Sequence, residues 1–340
     1  MSIFKALVAV LSVFLFASAA AGQNVSAPSY KIVSRIAGPD GGWDLLDVDS
    51  VRGRLYVARS GGVMAVDLAT NTVTPDLVKS LRGHAALAIP GTSQVISTNG
   101  GNGTAVIFEG ATGRIVATLA VGSKPDALAF DPATNTVWVM NPGSGDISVI
   151  DPVAAKVTDT VAVGGSLELA AADGEGRLYV NVEDKNDVAV IDTRSRKLVT
   201  RFPLPGCDGP TGLAYIPDAK LILSACKNGV AKFTAADGHE VATLSVGARP
   251  DGALYDQKRH LAFVPSGGDG TLSIISLSPT PKVIGKVATA KGARTAALDA
   301  ATGRIYLPSA QYAPPVGNAR PSAIPGSFGL LVVAPVANLP

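Results

Sequence analysis

The sequence has 340 residues, a formal net charge of +2 and only 16% charged residues. A charge so close to zero argues against non-specific electrostatic binding to nucleic acid, because such binding relies on an excess of lysine and arginine. The 37 glycines and 23 prolines favour many short strands joined by tight turns. No segment beyond the N-terminus is long and apolar enough to span a membrane as a helix.

The N-terminus has the pattern of a secretory signal peptide. Lys5 provides a positive charge, residues 6–16 are apolar, and small residues follow at 17–22. The apolar run is too short for a stable membrane-spanning helix, although a retained interfacial anchor is the alternative. We therefore expect residues 1–22 to be a signal peptide cleaved near Ala21 or Gly22, and the mature protein to be periplasmic or secreted.

Residues 30–38 come next, and they have the pattern of a β-strand that precedes the first complete copy of a repeat. Each copy contains an apolar strand, a turn, a second strand of the type RLYV, a third of the type VAVID and a fourth strand. The first strands end, in chain order, at or near Asp49, Pro90, Asp131, Asp173, Pro217, Asp256 and Asp299. Seven four-stranded units of about forty residues predict a seven-bladed β-propeller.

The other strands of the repeat follow the same spacing. Second strands are expected at residues 54–59, 94–99, 136–141, 177–182, 220–225, 260–265 and 304–309. Third strands end at Asp67, Asp151 and Asp192 in three copies, where an aspartate can accept hydrogen bonds from the backbone that follows and start a turn. Fourth strands include residues 115–121, 157–163 and 241–246.

The two cysteines belong to the fifth copy. Cys207 precedes its first strand and Cys226 follows its second, so both lie at the open end of one hairpin, within bridging reach. In an exported protein this favours a disulfide. The absence of a Cys-x-x-Cys spacing argues against a redox-active role.

The last copy is completed by both ends of the chain. Residues 329–335 have the pattern of a third strand with no fourth strand after it, so residues 31–36 are expected to pair with residues 330–333. This pairing closes the ring without a gap, whereas an open solenoid would need capping repeats, which are absent. We therefore expect an all-β fold in which residues 23–340 form one seven-bladed propeller domain. Its last blade carries an insertion at residues 311–328, either a lid or contact surface or a rigid cover.

Several strings resemble the YVTN-type β-propeller repeat proteins, the YncE-like group. They are RLYVARSGGVMAVD at 54–67, GDISVIDP at 145–152 and RLYVNVEDKNDVAVID at 177–192. A closer subgroup resemblance lies in CDGPTGLAY at 207–215, LILSACKNGVAKF at 221–233, GARTAALD at 292–299 and ARPSAIPGSFGLLVV at 319–333. The resemblance implies the propeller fold and an exported location. It does not select a function, because related propellers are described as lactonases, lyases, redox-associated subunits and DNA- or partner-binding proteins.

Five of the seven positions that lie five residues before the end of a first strand carry charged side chains, four acidic and one basic. The seven positions are Asp44, Ala85, Asp126, Glu168, Gly212, Asp251 and Arg294. In a propeller they ring one mouth of the central channel, and crowded carboxylates must be protonated, paired or neutralised by a cation. The ring therefore predicts a site for a small ligand or for Ca²⁺ or another divalent cation. The predicted metal ligands are Asp44, Asp126, Glu168 and Asp251, with Arg294 as the basic partner. Alternatively, each aspartate caps its own turn and Arg294 pairs with Asp251.

Trp43 and His84 lie beside these ring positions in the sequence. Trp43 is expected either to stack on a ligand or to fill the mouth of the channel. His84 is the one histidine expected near the channel, and three scattered histidines argue against a histidine-rich zinc or copper site. The loops expected at the same mouth also contain Lys124, Asp208, Lys227, Arg249 and Lys291.

Three functions are compatible with this pattern. The first is an exported binding or scaffold protein that presents a small-ligand or partner surface at the channel mouth. The second is a metal-assisted hydrolase of the lactonase type, in which the carboxylates hold a cation that polarises a carbonyl and activates water. The third, single-stranded DNA binding, is suggested only by relatives and is weakened by few aromatics and a charge near zero. A Gly-x-Ser-x-Gly elbow and a phosphate-binding loop are both absent from the sequence.

Overall fold

The computed structural model describes residues 29–314 and 321–336, and the regular secondary structure within these ranges is almost entirely β-strand. In chain order the strands are β1 (Ser29–Ala37), β2 (Trp43–Asp49), β3 (Arg54–Arg59), β4 (Gly62–Asp67), β5 (Val73–Lys79), β6 (Gly83–Ala88), β7 (Gln94–Asn99), β8 (Thr104–Glu109), β9 (Ile115–Ala120), β10 (Leu128–Asp131), β11 (Thr136–Asn141), β12 (Asp146–Asp151), β13 (Lys156–Ala162), β14 (Leu167–Ala172), β15 (Arg177–Val182), β16 (Asp187–Asp192), β17 (Lys197–Pro203), β18 (Pro210–Ile216), β19 (Leu221–Cys226), β20 (Val230–Ala235), β21 (Glu240–Ser245), β22 (Leu254–Asp256), β23 (Leu261–Ser266), β24 (Thr271–Ser276), β25 (Lys282–Ala288), β26 (Ala297–Asp299), β27 (Arg304–Ser309) and β28 (Gly329–Val336). One short 3₁₀ helix covers Glu183–Lys185.

These strands form seven four-stranded antiparallel sheets, which are the blades of a propeller. Blades 1 to 6 each take four consecutive strands, starting from β2–β5, and blade 7 has the order β26–β27–β28–β1. The predicted seven-bladed, all-β fold is confirmed. The predicted signal peptide at residues 1–22, and residues 315–320 of the insertion, lie outside the described residues.

Ring closure follows the prediction from the sequence. Strand β1 pairs antiparallel with β28, with Ile32 opposite Val333 and Ile36 opposite Leu330. The innermost strand of blade 7, β26, packs beside that of blade 1, β2. A hydrogen bond from Thr295 Oγ1 to the carbonyl oxygen of Asp44, 3.0 Å long, also joins the two blades. Both chain ends therefore hold the last blade in the ring.

The core lies between neighbouring blades, so the middle strands are buried on both faces. Strand β11 is buried at every position, and its Trp138 and Met140 pack against Leu178 and Val180 of the next blade. The outermost strands alternate instead, and β9 exposes every second residue more fully. This difference explains why the second and third strands read as continuous apolar runs while the fourth strands alternate.

Hydrogen bonds and left-handed residues in the turns determine where several strands begin and end. Asp67 Oδ1 accepts 3.0 Å hydrogen bonds from the backbone N–H groups of Ala69 and Thr70 after β4, as predicted for the third-strand aspartates. The second strands of blades 5 and 6 begin at Leu221 and Leu261, one residue later than expected. The residues before them adopt left-handed backbone conformations that belong to the turn.

The predicted disulfide is present. Cys207, which precedes β18, is bonded to Cys226 at the end of β19, with a Cα–Cα distance of 5.4 Å. Within the described ranges, no helix is long and apolar enough to cross a membrane.

Candidate functional site

Six of the seven predicted ligand-binding residues line one cavity at a mouth of the central channel. Its volume is about 360 Å³. We call it the mouth cavity, and its lining residues are Asp44, Leu45, His84, Asp126, Glu168, Leu169, Lys227, Arg249, Pro250, Asp251 and Arg294. The six predicted residues in this lining come from six different blades, and counting positions along the repeat identified all of them except His84, which precedes a counted position.

A β-bulge at the same position of the innermost strand helps to form this cluster. In blade 1, Trp43 pairs with Arg59 and Leu46 pairs with Val57, so two residues of β2 lie opposite one residue of β3. Blades 2, 4 and 5 contain the equivalent bulge. The bulged residues are Asp44 and Leu45, His84 and Ala85, Glu168 and Leu169, and Thr211 and Gly212. A bulge breaks the regular alternation of side chains, which allows Asp44, His84 and Glu168 to line the mouth.

Blades 3, 6 and 7 reach the same place in another way. Their innermost strands begin later, at Leu128, Leu254 and Ala297. Asp126, Asp251 and Arg294 therefore lie in the connections that precede these strands.

Asp44, His84 and Asp126 form the closest group in the mouth cavity. His84 Nδ1 lies 2.8 Å from Asp44 Oδ2 and 3.9 Å from Asp126 Oδ1. The hydrogen bond to Asp44 raises the pKa of His84 against the opposing effect of burial, and the charge of Asp126 adds to the increase. Burial and the nearby charge of Asp44 together raise the pKa of Asp126 to about 6. The pKa values of His84 and Asp126 are therefore both raised, so each of these two groups holds its proton more tightly than it would in water.

Asp251 and Arg294 form an ion pair on the other side of the mouth. Arg294 Nε donates to Asp251 Oδ2 at 2.5 Å, and Arg294 Nη2 lies 3.7 Å from Asp44 Oδ1. Burial still raises the pKa of Asp251 in spite of this partner. Pairing of Arg294 with Asp251 was part of the alternative that the sequence analysis gave to a ligand site. The accompanying idea of turn-capping aspartates does not apply here, because no backbone N–H within residues 29–314 and 321–336 donates to the side chains of Asp44, Asp126 or Asp251.

Glu168 belongs to a separate chain of charged groups. Its carboxyl group hydrogen-bonds to that of Glu183, which forms an ion pair with Lys227. Burial, followed by this contact with Glu183, raises the pKa of Glu168 to about 10. Burial also acts on Glu183, but the hydrogen bonds from Glu168 and Lys227 outweigh it and lower the Glu183 pKa. Glu168 is therefore a neutral carboxylic acid at neutral pH, able to donate a hydrogen bond.

The donor set for a metal ion differs in composition from the one expected. Ligand atoms of Asp44, His84 and Asp126 all lie within 4.8 Å of one another. Glu168 and Asp251 are outside this group, each engaged with a partner of its own. Two carboxylates and one imidazole suit zinc or manganese better than calcium, which takes six to eight oxygen ligands.

Trp43 lies away from the mouth cavity lining. Its ring packs on Phe328 with a centroid distance of 5.0 Å, and the guanidinium of Arg59 lies 3.8 Å from the centroid of the same Phe328 ring. This stack anchors the end of the blade 7 insertion against blade 1. Trp43 therefore packs against the blade 7 insertion, and its two expected roles, stacking on a ligand and filling the mouth of the channel, stay predictions.

Two acidic residues near the channel were missed by the sequence analysis. Glu183 directly follows β15, and its proximity to Glu168 depends on how blade 4 folds back on itself. Asp47 lies deeper in the channel, beside an apolar cavity of about 280 Å³. Its Oδ2 accepts a 2.9 Å hydrogen bond from the backbone N–H of Ala88, and burial raises its pKa to about 6. The alternation of aspartates in WDLLDVD was the available signal for Asp47.

Comparison with models of known protein families and with curated proteins finds no match. Among solved structures, the chain is similar to one in the crystal structure of the mitotic checkpoint complex, with a TM-score of 0.73 and 17% identity. That match covers 88% of this chain and 95% of the other. It is also similar to a chain of Kuenenia stuttgartiensis hydrazine synthase, with a TM-score of 0.67 and 16% identity over 78% of this chain and 92% of that one. Identities this low support the shared propeller fold alone.

Proposed function

We propose that the protein is an exported β-propeller of the YVTN type that binds a small polar ligand at its mouth cavity. The observation that carries the proposal is the convergence of Asp44, Asp126, Glu168 and Asp251 on one cavity, where no backbone N–H of residues 29–314 or 321–336 donates to their side chains. Burial raises the pKa values of Asp126, Glu168 and Asp251, so crowding these carboxyl groups in one cavity lowers the stability of the folded protein. Such an arrangement is typical of binding and catalytic sites, which are kept for function at the expense of stability.

Export is supported by two independent features. The N-terminal pattern is that of a signal peptide, and the bonded Cys207–Cys226 pair is typical of oxidising compartments. In this proposal residues 23–340 are the mature propeller. Sequencing the N-terminus of the protein recovered from the periplasm or the medium tests the cleavage near Ala21 or Gly22.

The scaffold favours binding because the mouth residues are held rigidly. Except for Lys227, each lies on an innermost strand of a blade or in the connection directly before one, so the geometry of the mouth cavity is set before the ligand arrives. Preorganisation of this kind reduces the entropy lost on binding. The same surface is also open to a protein partner, and Tyr312 and Pro321 of the blade 7 insertion line a cavity beside it.

A thermal-shift screen of the mature protein tests ligand binding. The panel contains amino acids, sugars, organic acids, nucleotides, lactones and divalent cations. A ligand at about one hundred times its Kd stabilises the folded state by about 2.7 kcal/mol, which raises the melting temperature by several degrees.

The stabilisation is expected to disappear in Asp126→Asn. It should persist in Lys258→Gln, a matched change at the opposite end of the channel. If no member of the panel stabilises the protein, or if Asp126→Asn responds like the parent, the mouth cavity is not a small-ligand site.

The second candidate function is a metal-assisted hydrolase of the lactonase type. It is favoured by the group of Asp44, His84 and Asp126, whose ligand atoms are close enough to share one ion. A cation held there would polarise a carbonyl oxygen and lower the pKa of a bound water. Asp44, His84 and Asp126 would hold the ion, and Glu168 is placed to donate a proton at the same cavity.

Metal content and calorimetric titration with Zn²⁺, Mn²⁺ and Ca²⁺ test this candidate. Stoichiometric binding that is lost in both His84→Gln and Asp126→Asn, and kept in His239→Gln at an exposed outer turn, supports it. Lactone hydrolysis that follows the metal content completes the case. If no divalent ion binds at millimolar concentration, the hydrolase is ruled out while the binding function stands.

A further inference from the structure

The mouth cavity continues into an apolar cavity inside the central channel. This deeper space, which we call the channel cavity, has a volume of about 280 Å³. Leu45 and Leu169 line both cavities, so the two spaces adjoin. Apart from Asp47 and Thr295, all lining residues of the channel cavity are leucine, alanine or glycine. Asp47 is therefore the one charged residue in an apolar lining.

Asp47 departs from the pattern of the innermost strands. It pairs with Tyr56, the third residue of the second strand of blade 1. The residues at the same register in the other six blades are Leu87, Ala129, Ala171, Ala214, Leu254 and Ala297. A carboxyl group thus lies where every other blade has an aliphatic side chain, so the fold itself does not require an acid at this level of the channel.

The carboxyl group of Asp47 has no cationic partner. Its Oδ2 accepts a hydrogen bond from Ala88 N–H at 2.9 Å. No lysine, arginine or histidine nitrogen lies within salt-bridge distance of it among residues 29–314 and 321–336. Burial raises its pKa to about 6, because a carboxylate removed from water without an opposite charge is unfavourable. A bound cation beside it would stabilise the ionised form.

The mouth cavity contains a second carboxyl group of this kind, that of Asp126. It accepts no hydrogen bond from the described part of the chain, and its nearest cation is His84 Nδ1 at 3.9 Å. A carboxylate oxygen of Asp44 lies within 4.8 Å of one of Asp126. One ammonium group can therefore contact both carboxylates.

Two basic side chains of the mouth cavity already have partners. Arg294 forms an ion pair with Asp251, and Lys227 forms one with Glu183. Neither of these two cations is therefore available to neutralise Asp126.

Strand β2 connects the two levels of carboxyl groups. Asp44 at the mouth lies three residues before Asp47, so the two are separated by at most about 10 Å along the strand. Between them, Leu45 lines both cavities and Leu46 lines the channel cavity. A ligand that extends from the mouth carboxylates to Asp47 therefore passes aliphatic side chains.

We propose that the mouth cavity and the channel cavity together bind a linear aliphatic diamine. One ammonium group lies at the carboxylates of Asp44 and Asp126, and the other lies at Asp47. The carbon chain packs against Leu45 and its apolar neighbours. This inference rests on the proposed small-ligand function and names the chemical class of that ligand.

The dimensions of the two cavities set the length of the diamine. Each bond of an extended alkyl chain advances about 1.25 Å, so chains of roughly four to seven carbons separate the two nitrogens by about 6–10 Å. An apolar cavity of about 150 Å³ holds a benzene molecule, so the channel cavity of about 280 Å³ has room for such a chain. Both amino groups are charged at neutral pH, because the pKa of an alkylamine resembles the value of about 10.4 for lysine.

Other classes of ligand satisfy only part of this arrangement. A monoamine leaves either Asp47 or Asp126 without a partner. A divalent ion held by Asp44, His84 and Asp126 leaves Asp47 unpaired in the channel. An anion is repelled by the carboxylates at both levels. Two cationic groups joined by an aliphatic chain match the charge and the apolar lining together.

Calorimetric titration of the mature protein with unbranched diamines of roughly three to ten carbons tests the inference. Affinity is expected to be highest for chains of roughly four to seven carbons. The monoamine with the same number of carbons should bind at least about tenfold more weakly, because it leaves one buried carboxylate without a partner.

Variants assign each ammonium group to its own carboxylate. Asp47→Asn keeps the size of the side chain and an acceptor for Ala88 N–H, so it should weaken the diamine by about tenfold or more without weakening the monoamine. Asp126→Asn should weaken both. Asp76→Asn, at an exposed acid that pairs with Lys79 on the outermost strand of blade 1, is the matched control and should change neither affinity.

Three results would overturn the inference: no diamine binds, the monoamines bind as tightly as the diamines, or Asp47→Asn binds diamines like the parent. The comparison of diamines with monoamines uses the parent protein alone, so it decides the question even where a variant does not fold.

Failure of this inference is distinguishable from failure of the proposed function. If no diamine binds but a sugar, an organic acid or a divalent cation does, and that binding is lost in Asp126→Asn, the mouth cavity is a site for another class of ligand and the diamine is excluded. If neither the diamines nor any member of the thermal-shift panel binds, both proposals fail.

Discussion

The two ends of the innermost strands carry the same kind of side chain in different surroundings. At the end away from the mouth cavity, Asp131 is fully buried, and it accepts hydrogen bonds from Ala133 N–H at 3.0 Å and Thr134 Oγ1 at 2.7 Å. Asp173 accepts three backbone hydrogen bonds in the same position of blade 4. At the mouth, five residues before Asp131, Asp126 has no such donors. At one end of the strand, the aspartate accepts hydrogen bonds that form a turn. At the other end, carboxylates from several blades lie together without backbone donors from the described residues.

This contrast separates residues that stabilise the fold from residues that the proposed function assigns to a ligand. A carboxylate that accepts backbone N–H groups stabilises its ionised form and the turn together. A carboxylate that faces other carboxylates in a cavity is destabilised when ionised, and burial raises its pKa. Substitution should therefore have opposite effects on stability at the two ends.

The largest expected effect comes from the disulfide beside the mouth. Replacing Cys207 and Cys226 together with alanine should lower the free energy of unfolding by about 3 kcal/mol, because the bond closes a loop of about twenty residues in the unfolded chain. Urea unfolding of the oxidised parent and the double variant measures the difference. The parent under reducing conditions is the matched control and should resemble the variant. A loss below about 1 kcal/mol would mean that the bond adds little to the stability of blade 5.

The next effect compares the two ends of one strand directly. Asp131→Ala should lower the free energy of unfolding by about 2 kcal/mol, because it leaves a buried turn without its acceptor. Asp126→Asn should raise it by about 1 kcal/mol at neutral pH, since a carboxyl group with a pKa of about 6 is ionised there at a cost to the folded state. Chemical unfolding of both variants provides the measurement. If both substitutions destabilise the protein equally, the proposed division between the two ends is wrong.

The smallest effect concerns how stability depends on pH. Glu168 has a folded-state pKa near 10 against an ordinary value of 4.5, so between these values the folded state holds a proton that the unfolded state has lost. Stability through this group is full below about pH 4.5 and falls as the pH rises through this window. Glu168→Gln keeps a hydrogen-bond donor to Glu183 and removes the titration, so the variant should gain about 1 kcal/mol over the parent near pH 8 and show a flatter pH profile.

Unfolding measured across this pH range compares the parent, Glu168→Gln and Glu175→Gln. Glu175 is an exposed acid that pairs with Lys220 at the surface, so its variant should keep the slope of the parent. A Glu168→Gln profile as steep as that of the parent would show that Glu168 is ionised in the folded state.

The repeat made much of the site predictable, and the rest depended on contacts between blades. Counting five residues back from each strand end placed Asp44, Asp126 and Glu168 at one mouth, because every blade contributes the same position to the ring. It did not show that Glu168 shares a proton with Glu183. It also did not show that Arg249 and Lys291 line a neighbouring cavity with Tyr312. These relations involve side chains whose separation is set by the packing of whole sheets.

The sequence by itself determined the number of blades, the sharing of the last blade by both chain ends, and the disulfide. Strand alternation, turn residues and repeat length are local properties. They can be recognised along the chain without knowledge of contacts between distant residues. Only the tertiary structure decided which carboxyl groups are paired, which have raised pKa values and which accept no hydrogen bond from the described part of the chain. The physical reason is that pKa values and ion pairs depend on distances of a few ångströms between residues about forty positions apart, together with their burial.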